Sequence, residues 1–106
     1  MALGALAPAS NGEPAASAAR TCSVGDSQSY GTTYVLWIRA RHIGCRRARK
    51  NVRAFHKCRK GPKGHCKHFN GWTCHERRTY GRGSFDSKVR CKKGAKVVRH
   101  QYTQWT

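Results

Sequence analysis

The sequence predicts a small α+β domain in which one helix packs on an antiparallel sheet of about four strands, in the order β-α-β-β-β. Three observations indicate this class. An aromatic and β-branched run comes first, a stripe of apolar residues at helical spacing follows, and shorter alternating segments complete the chain. In addition, six cysteines in 106 residues indicate that covalent links supplement a core of limited size.

The first strand is predicted at residues 34–38, where aromatic and β-branched side chains favour extended backbone, and its alternation continues to Arg41. Gly44 interrupts this pattern, and a helix follows until Gly61 and Pro62 end it. The residues that recur at helical spacing, and so predict one narrow buried stripe, are Cys45, Ala48, Val52, Phe55 and Cys58.

The second half of the chain is predicted to form three more strands. A basic, histidine-containing loop at residues 63–70 leads into a strand at 71–76. A flexible turn at 81–84 precedes a strand at 85–92, which a tight turn joins to the last strand at 96–102 as a hairpin. The side chains predicted to face inward from the second and third strands are Trp72, Cys74, Phe85, Val89 and Cys91.

The chain divides by composition into two parts. Residues 1–19 are nearly all Ala, Leu, Gly, Pro and Ser, which is typical of the end of an export signal or of a disordered Ala/Pro-rich leader. Residues 20–106 are predicted to form a single, basic, cysteine-framed domain. No run approaches the roughly 20 apolar residues of a membrane span, so we expect no transmembrane segment. The signal-like composition of residues 1–19, together with the cysteines, predicts a secreted protein.

The even number of cysteines predicts disulfide bonds, with 15 possible pairings of the six residues. Cys45 and Cys58 are expected to anchor the two ends of the helix. Zinc is the alternative, because the chain also has six histidines, but the tight Cys-x-x-Cys spacing of zinc sites is missing from the sequence. We therefore predict no metal and no cofactor. The predicted disulfide residues are Cys22, Cys45, Cys58, Cys66, Cys74 and Cys91.

Several short segments together resemble a known family. They are the basic helix from Cys45 to Cys58-Arg59, the segment Gly71-Trp72-Thr73-Cys74, the segment Val89-Arg90-Cys91-Lys92-Lys93-Gly94, and the ending Tyr102-Thr103-Gln104. From Tyr30 onward the chain resembles a family of small, exported, basic, cysteine-containing actinobacterial proteins whose activity is uncharacterised. This resemblance implies export and disulfides, and it implies no activity.

Charge provides the functional prediction. The chain has 22 Lys and Arg against 4 Asp and Glu, for a net charge of +18, and residues 27–73 contain no acidic residue. Three arginines in the first helical turn oppose the helix macrodipole. We predict non-specific binding of a polyanion, namely nucleic acid, an anionic wall polymer or a polysaccharide, whereas an ordinary solvated surface is the alternative. The predicted binding residues are Arg46, Arg47, Arg49, Lys50, Arg53, Lys57, Arg59, Lys60, Lys63 and Lys67.

We predict that the protein is not an enzyme and that it is a monomer. Two other functions are alternatives. The first is a small secreted ribonuclease-like hydrolase, which would combine Glu76 as base, His100 as acid and Arg90 or Arg77 as cation. The second is a cationic antimicrobial or inhibitor module. Its helix would need a broad apolar face to enter a membrane, and the predicted stripe is narrow.

Overall fold

The computed structural model describes residues 18–25 and 33–106, so most of the predicted leader at 1–19 and the segment around Tyr30 lie outside the described residues. One helix and six strands make up the described part of the chain. In chain order the elements are β1 Arg20–Cys22, β2 Thr33–Arg41, α1 Cys45–Arg59, β3 His68–Phe69, β4 Trp72–Tyr80, β5 Ser84–Lys93 and β6 Lys96–Trp105.

The six strands form one antiparallel sheet in the order β1-β2-β6-β5-β4-β3. The α+β class is confirmed, but the prediction of about four strands is too low by two. Both additional strands are short edge strands, of three and two residues. One of them, β3, lies inside the segment predicted as a loop and joins β4 through a turn in which Asn70 and Gly71 both have positive φ.

The helix begins and ends where the sequence predicts. Gly44 is its N-cap and supplies no side-chain hydrogen bond, and the first turn contains no acidic residue. At the other end Lys60 adopts the left-handed conformation and Gly61 follows with a φ of 114°. The left-handed residue turns the chain away from the helix axis, which ends the helix before Pro62.

The core lies between the helix and the face of the sheet that we call the inner face. Ala48, Val52 and Phe55 of the helix are fully buried there, as their spacing predicts. The helical stripe is therefore covered by the sheet. The buried apolar residues of the strands are Cys22, Val35, Ile38, Ala40, Trp72, Cys74, Phe85, Val89, Cys91, Val98 and Tyr102.

All six cysteines form disulfides, in the pairs Cys22–Cys45, Cys58–Cys66 and Cys74–Cys91. The prediction of disulfides is confirmed, and no thiolate remains to bind zinc. The first two bonds tie the first and last turns of the helix to β1 and to the loop after the helix, as expected of helix anchors. The third joins β4 to β5 on the inner face.

Candidate functional site

The sheet brings two of the three predicted ribonuclease-like residues together and separates the third. Glu76 in β4 and His100 in β6 both pair with Val89 of the intervening strand β5, so their side chains share the inner face. Arg90 follows Val89 and is exposed on the opposite, outer face, and Arg77 is likewise exposed there. Strand alternation therefore brings the predicted carboxylate and imidazole to one face of the sheet and does not bring either predicted arginine to them.

A different arginine accompanies Glu76. Arg78 donates from Nε to Oε2 of Glu76 at 3.0 Å and from Nη2 to Oε1 at 3.1 Å. The hydroxyls of Ser87 and Tyr102 each donate to Oε2 at 2.6 Å. Burial alone would raise the pKa of Glu76, but these hydrogen bonds outweigh it and lower that pKa. The carboxylate is thus ionised, buried and fully hydrogen-bonded.

The guanidinium of Arg59 forms the second centre of the cluster, at the end of the helix. Nη1 donates to the carbonyl oxygens of Pro62 at 2.8 Å and Gly64 at 3.3 Å, and Nη2 donates to Oε1 of Gln104 at 2.7 Å and Oγ1 of Thr33 at 3.2 Å. Arg59 is only 4% exposed. The donors of Arg59 are therefore used inside the protein, and its position differs from that of the exposed cations in the predicted polyanion-binding set.

Arg59 also fixes the protonation of two histidines, the half-buried His56 and the fully buried His100. Its Nε donates to Nδ1 of His56 at 3.1 Å, and since arginine is a donor only, the proton of His56 is on Nε2. That atom lies 3.0 Å from Nε2 of His100, which must accept, so the proton of His100 is on Nδ1. Nδ1 of His100 is buried and has no hydrogen-bond partner among the described residues.

Both imidazoles are consequently neutral. Burial is the main reason that the pKa of His56 falls to about 2, and the positive charge that His100 would gain on protonation and the charge of Arg59 lower it further. Burial is also the main reason that the pKa of His100 falls to about 3, although the carboxylate of Glu76 partly opposes it. Burial and the hydrogen bond to Glu76 raise the pKa of Tyr102 to about 12. At neutral pH both imidazoles are therefore uncharged, and Tyr102 keeps its hydroxyl proton.

We call the connected set Thr33, His56, Arg59, Glu76, Arg78, Ser87, His100, Tyr102 and Gln104 the polar cluster. It joins the last turn of the helix, the loop after it and four strands. The Glu76 side chain is 7% exposed and His100 is fully buried. The hydrogen bonds of the polar cluster join protein groups to one another, so the geometry supports a structural role for Glu76 and His100.

Exposed cations lie on two surfaces of the molecule, one formed by the helix and the loop after it and the other by the outer face of the sheet. Eight of the ten predicted polyanion-binding residues are exposed, Arg49 is partly buried with Nη1 donating to the carbonyl of Ser23 at 3.1 Å, and Arg59 is buried. We call the exposed eight the helix-loop surface. They are Arg46, Arg47, Lys50, Arg53, Lys57, Lys60, Lys63 and Lys67.

The outer face of the sheet carries a second basic surface that the sequence analysis does not identify. Arg39 of β2 pairs with Arg99 of β6, Arg99 pairs with Arg90 of β5, and Arg90 pairs with His75 of β4. These four residues form one row across four strands, which we call the arginine row. The guanidinium of Arg39 lies 4.8 Å from the centre of the Trp37 ring on the same face. Further exposed cations of this face are Arg41, Arg77, Lys88 and Lys92.

Comparisons with protein-family models, with curated proteins and with solved structures give no match to this chain. The family resemblance noted from the sequence therefore stays a prediction. The described part of the chain contains no helix with the length and apolar character needed to cross a bilayer.

Proposed function

We propose that this is an exported, disulfide-stabilised protein that binds anionic polymers, with the arginine row as the main contact and the helix-loop surface as a second. The three disulfides agree with an oxidising compartment. The relevant chemistry is the repeating negative charge of nucleic acid, a wall polymer or an acidic polysaccharide. Neutralising several such charges releases counterions, which drives binding without sequence recognition.

The arginine row is the observation that carries this proposal. Residues directly opposite each other on antiparallel strands have Cβ atoms about 4.5–5.5 Å apart, and like charges at that spacing destabilise the sheet. The row places Arg99 between Arg39 and Arg90, so the repulsion acts on both sides of it. Side chains that oppose the stability of the fold are expected where function requires them.

The shape and chemistry of the outer face also suit an extended anion. A shallow depression of about 460 Å³ lies beside the row and is lined by His75, Arg90, Lys92 and Lys93. The indole of Trp37, which donates from Nε1 to Gln101 at 2.9 Å, adds an aromatic surface next to the guanidinium of Arg39. Guanidinium groups form paired hydrogen bonds with phosphate and carboxylate oxygens.

A binding role is favoured over catalysis, because the ionised Glu76 has protein donors on both of its oxygens and the cations of the outer face do not reach it. We therefore expect no RNA cleavage by the purified protein. Cleavage that disappears in a folded Glu76→Gln variant would contradict this expectation.

The experiment that tests the proposal measures binding to labelled duplex DNA and to heparin over a salt series. Two variants remove the same charge from different surfaces. One carries Arg39→Gln, Arg90→Gln and Arg99→Gln in the arginine row, and the other carries Arg46→Gln, Lys57→Gln and Lys63→Gln on the helix-loop surface. We expect the first variant to lose more affinity, and its log-log salt slope for DNA to fall by about 2–3, since each phosphate contact contributes about 0.9.

Absence of binding at about 50 mM salt, or a slope near zero, would overturn the proposal, since phosphate contacts produce strong salt dependence. Equal losses in both variants would overturn the assignment to the arginine row. They would show that net charge, and not its placement, determines affinity.

A further inference from the structure

A second cleft lies on the helix side of the sheet and shares one lining residue, Lys93, with the depression beside the arginine row. It has a volume of about 320 Å³, within the usual range for a small-molecule site. The helix forms one wall, and the turns β3–β4 and β5–β6 form the other. Ile43, Phe69 and Trp72 supply apolar surface, and the amide side chain of Asn51 lines the same space.

Asn51 is the feature of this cleft that the fold does not explain. It is 4% exposed, and neither its Oδ1 nor its Nδ2 has a hydrogen-bond partner within residues 18–25 and 33–106. A buried amide without partners costs roughly 1–3 kcal/mol for each unpaired group. A leucine at this helical position would avoid that cost. The amide can turn about its soft χ2 angle, which would present one donor and one acceptor to the cleft.

Four cations line the same cleft. Arg47 and Lys50 come from the helix, and Lys93 and Lys96 flank the β5–β6 turn. The ammonium of Lys93 donates to the backbone carbonyl of Asn70 at 3.1 Å, which holds it at this position without neutralising its charge. No acidic side chain is among the residues that line the cleft, all of which are described. The cations therefore remain available to an anion.

We propose that this cleft binds a nucleotide. A nucleobase combines a flat apolar face with an edge that carries adjacent donors and acceptors, and the asparagine amide pairs with the N6 and N7 atoms of adenine in two hydrogen bonds. The apolar surface of Phe69 and Trp72 accommodates the base, Asn51 bonds its edge, and the four cations hold the phosphate. The site uses residues outside the arginine row, and it accepts either a free nucleotide or an unpaired nucleotide of a single strand.

Calorimetric titration with AMP, adenosine and inorganic phosphate tests the proposal. We expect AMP to bind more tightly than either of its parts, since the base and the phosphate contact different walls. In the Asn51→Leu variant we expect an unchanged or higher Tm and at least about tenfold weaker AMP binding, or about 1.4 kcal/mol. Thr79→Leu, which also replaces a neutral polar side chain with leucine but at an exposed position outside the cleft, is the matched control and should bind AMP like the unmodified protein.

Failure of AMP to bind at millimolar concentration, or equal affinity in the Asn51→Leu variant, would overturn the nucleotide site. Phosphate that binds as tightly as AMP would show a simple anion site and would also overturn it. If the nucleotide site is overturned but duplex DNA still binds with salt dependence, the polyanion proposal stands. If AMP binds but DNA does not, the nucleotide site stands and the polyanion proposal falls. Comparison of AMP with single-stranded oligo(dA) distinguishes a free nucleotide from a polymer as the source.

Discussion

The hydroxyl of Tyr102 in β6 donates to the carboxylate of Glu76 in β4 at 2.6 Å, across the intervening strand β5. Ser87 of β5 donates to the same carboxylate oxygen, so one ionised group holds three strands together. The guanidinium of Arg59 lies 4.7 Å from the centre of the Tyr102 ring and connects this group to the end of the helix. The polar cluster thus adds directional bonds to a core to which the helix contributes only three fully buried apolar side chains.

Removing the hydroxyl in Tyr102→Phe should destabilise the protein by about 1.5–3 kcal/mol, because a hydrogen bond to a buried charged group is lost while the ring stays in place. Urea unfolding at pH 7 measures this change. Tyr34→Phe, at an exposed position, is the matched control and should change the free energy of unfolding by less than about 0.5 kcal/mol. Equal effects of the two substitutions would show that the bond to Glu76 contributes nothing.

Stability should fall as pH decreases from 6.5, the ordinary pKa of histidine, towards about 5. In the folded protein the pKa values of His56 and His100 are about 2 and about 3, so neither imidazole takes up a proton in this range. In the unfolded chain both imidazoles take up a proton. Each proton that only the unfolded chain binds lowers the free energy of unfolding by up to about 1.4 kcal/mol for each pH unit of acidification. Chemical denaturation at several pH values measures the slope.

The His42→Gln variant is the control for this pH dependence, since His42 is exposed, and its slope should match that of the unmodified protein. The stability that Glu76 contributes is lost only at lower pH, because its folded pKa lies below the ordinary carboxylate value. A free energy of unfolding that is constant between pH 6.5 and about 5 would mean that the buried imidazoles titrate in the folded state.

Arg59→Met should destabilise the protein by about 2–4 kcal/mol, because several buried acceptors lose their donor at once. The acceptors are carbonyl, amide and hydroxyl oxygens from the loop, β6 and β2. Lys57→Met, at an exposed position of the same helix, is the control and should have little effect on stability. DNA affinity per folded molecule should be unchanged by Arg59→Met, whereas a loss of affinity without a loss of stability would restore Arg59 to the binding surface.

The longer elements of this fold could be predicted because their patterns are local. The helix, its end at Gly61 and the inward faces of β4 and β5 all follow from side-chain periodicity. The strands β1 and β3 are too short to show a period, and pairing with a neighbour forms them. Asn70-Gly71 does carry a hairpin signal, which could have identified β3.

The polar cluster was harder to predict, because its members come from five elements that are distant in sequence. Alternation alone could have placed Arg90 outward, since Val89 and Cys91 are inward. The same rule puts Arg78 on the side of Glu76 and Tyr102 on the side of His100. The sequence alone does not identify Arg59 and Asn51 as buried, or His56 as half-buried, because polar residues on a helix are expected to face solvent.

Loss of the Cys58–Cys66 disulfide should cost less stability than loss of the Cys74–Cys91 disulfide. Chain entropy predicts about 2.5 kcal/mol for its sequence separation of 8 and about 3 kcal/mol for the separation of 17 in Cys74–Cys91. Cys74 and Cys91 are also both buried in the core, so replacing them with alanine leaves a cavity. Denaturation of the two double-alanine variants gives the comparison, and a larger loss for Cys58–Cys66 would contradict it.

Arg99→Glu should stabilise the protein and weaken polyanion binding together. The new carboxylate lies between Arg39 and Arg90, so two repulsive cross-strand pairs become attractive, and we expect a gain of about 0.5–1 kcal/mol in the free energy of unfolding. The control is Arg82→Glu, the same charge change in an exposed turn away from the row. Urea unfolding and DNA binding in a salt series measure both properties. If the arginine row contributes only to stability, Arg99→Glu will lower the free energy of unfolding. DNA affinity will then be no weaker than in the Arg82→Glu control.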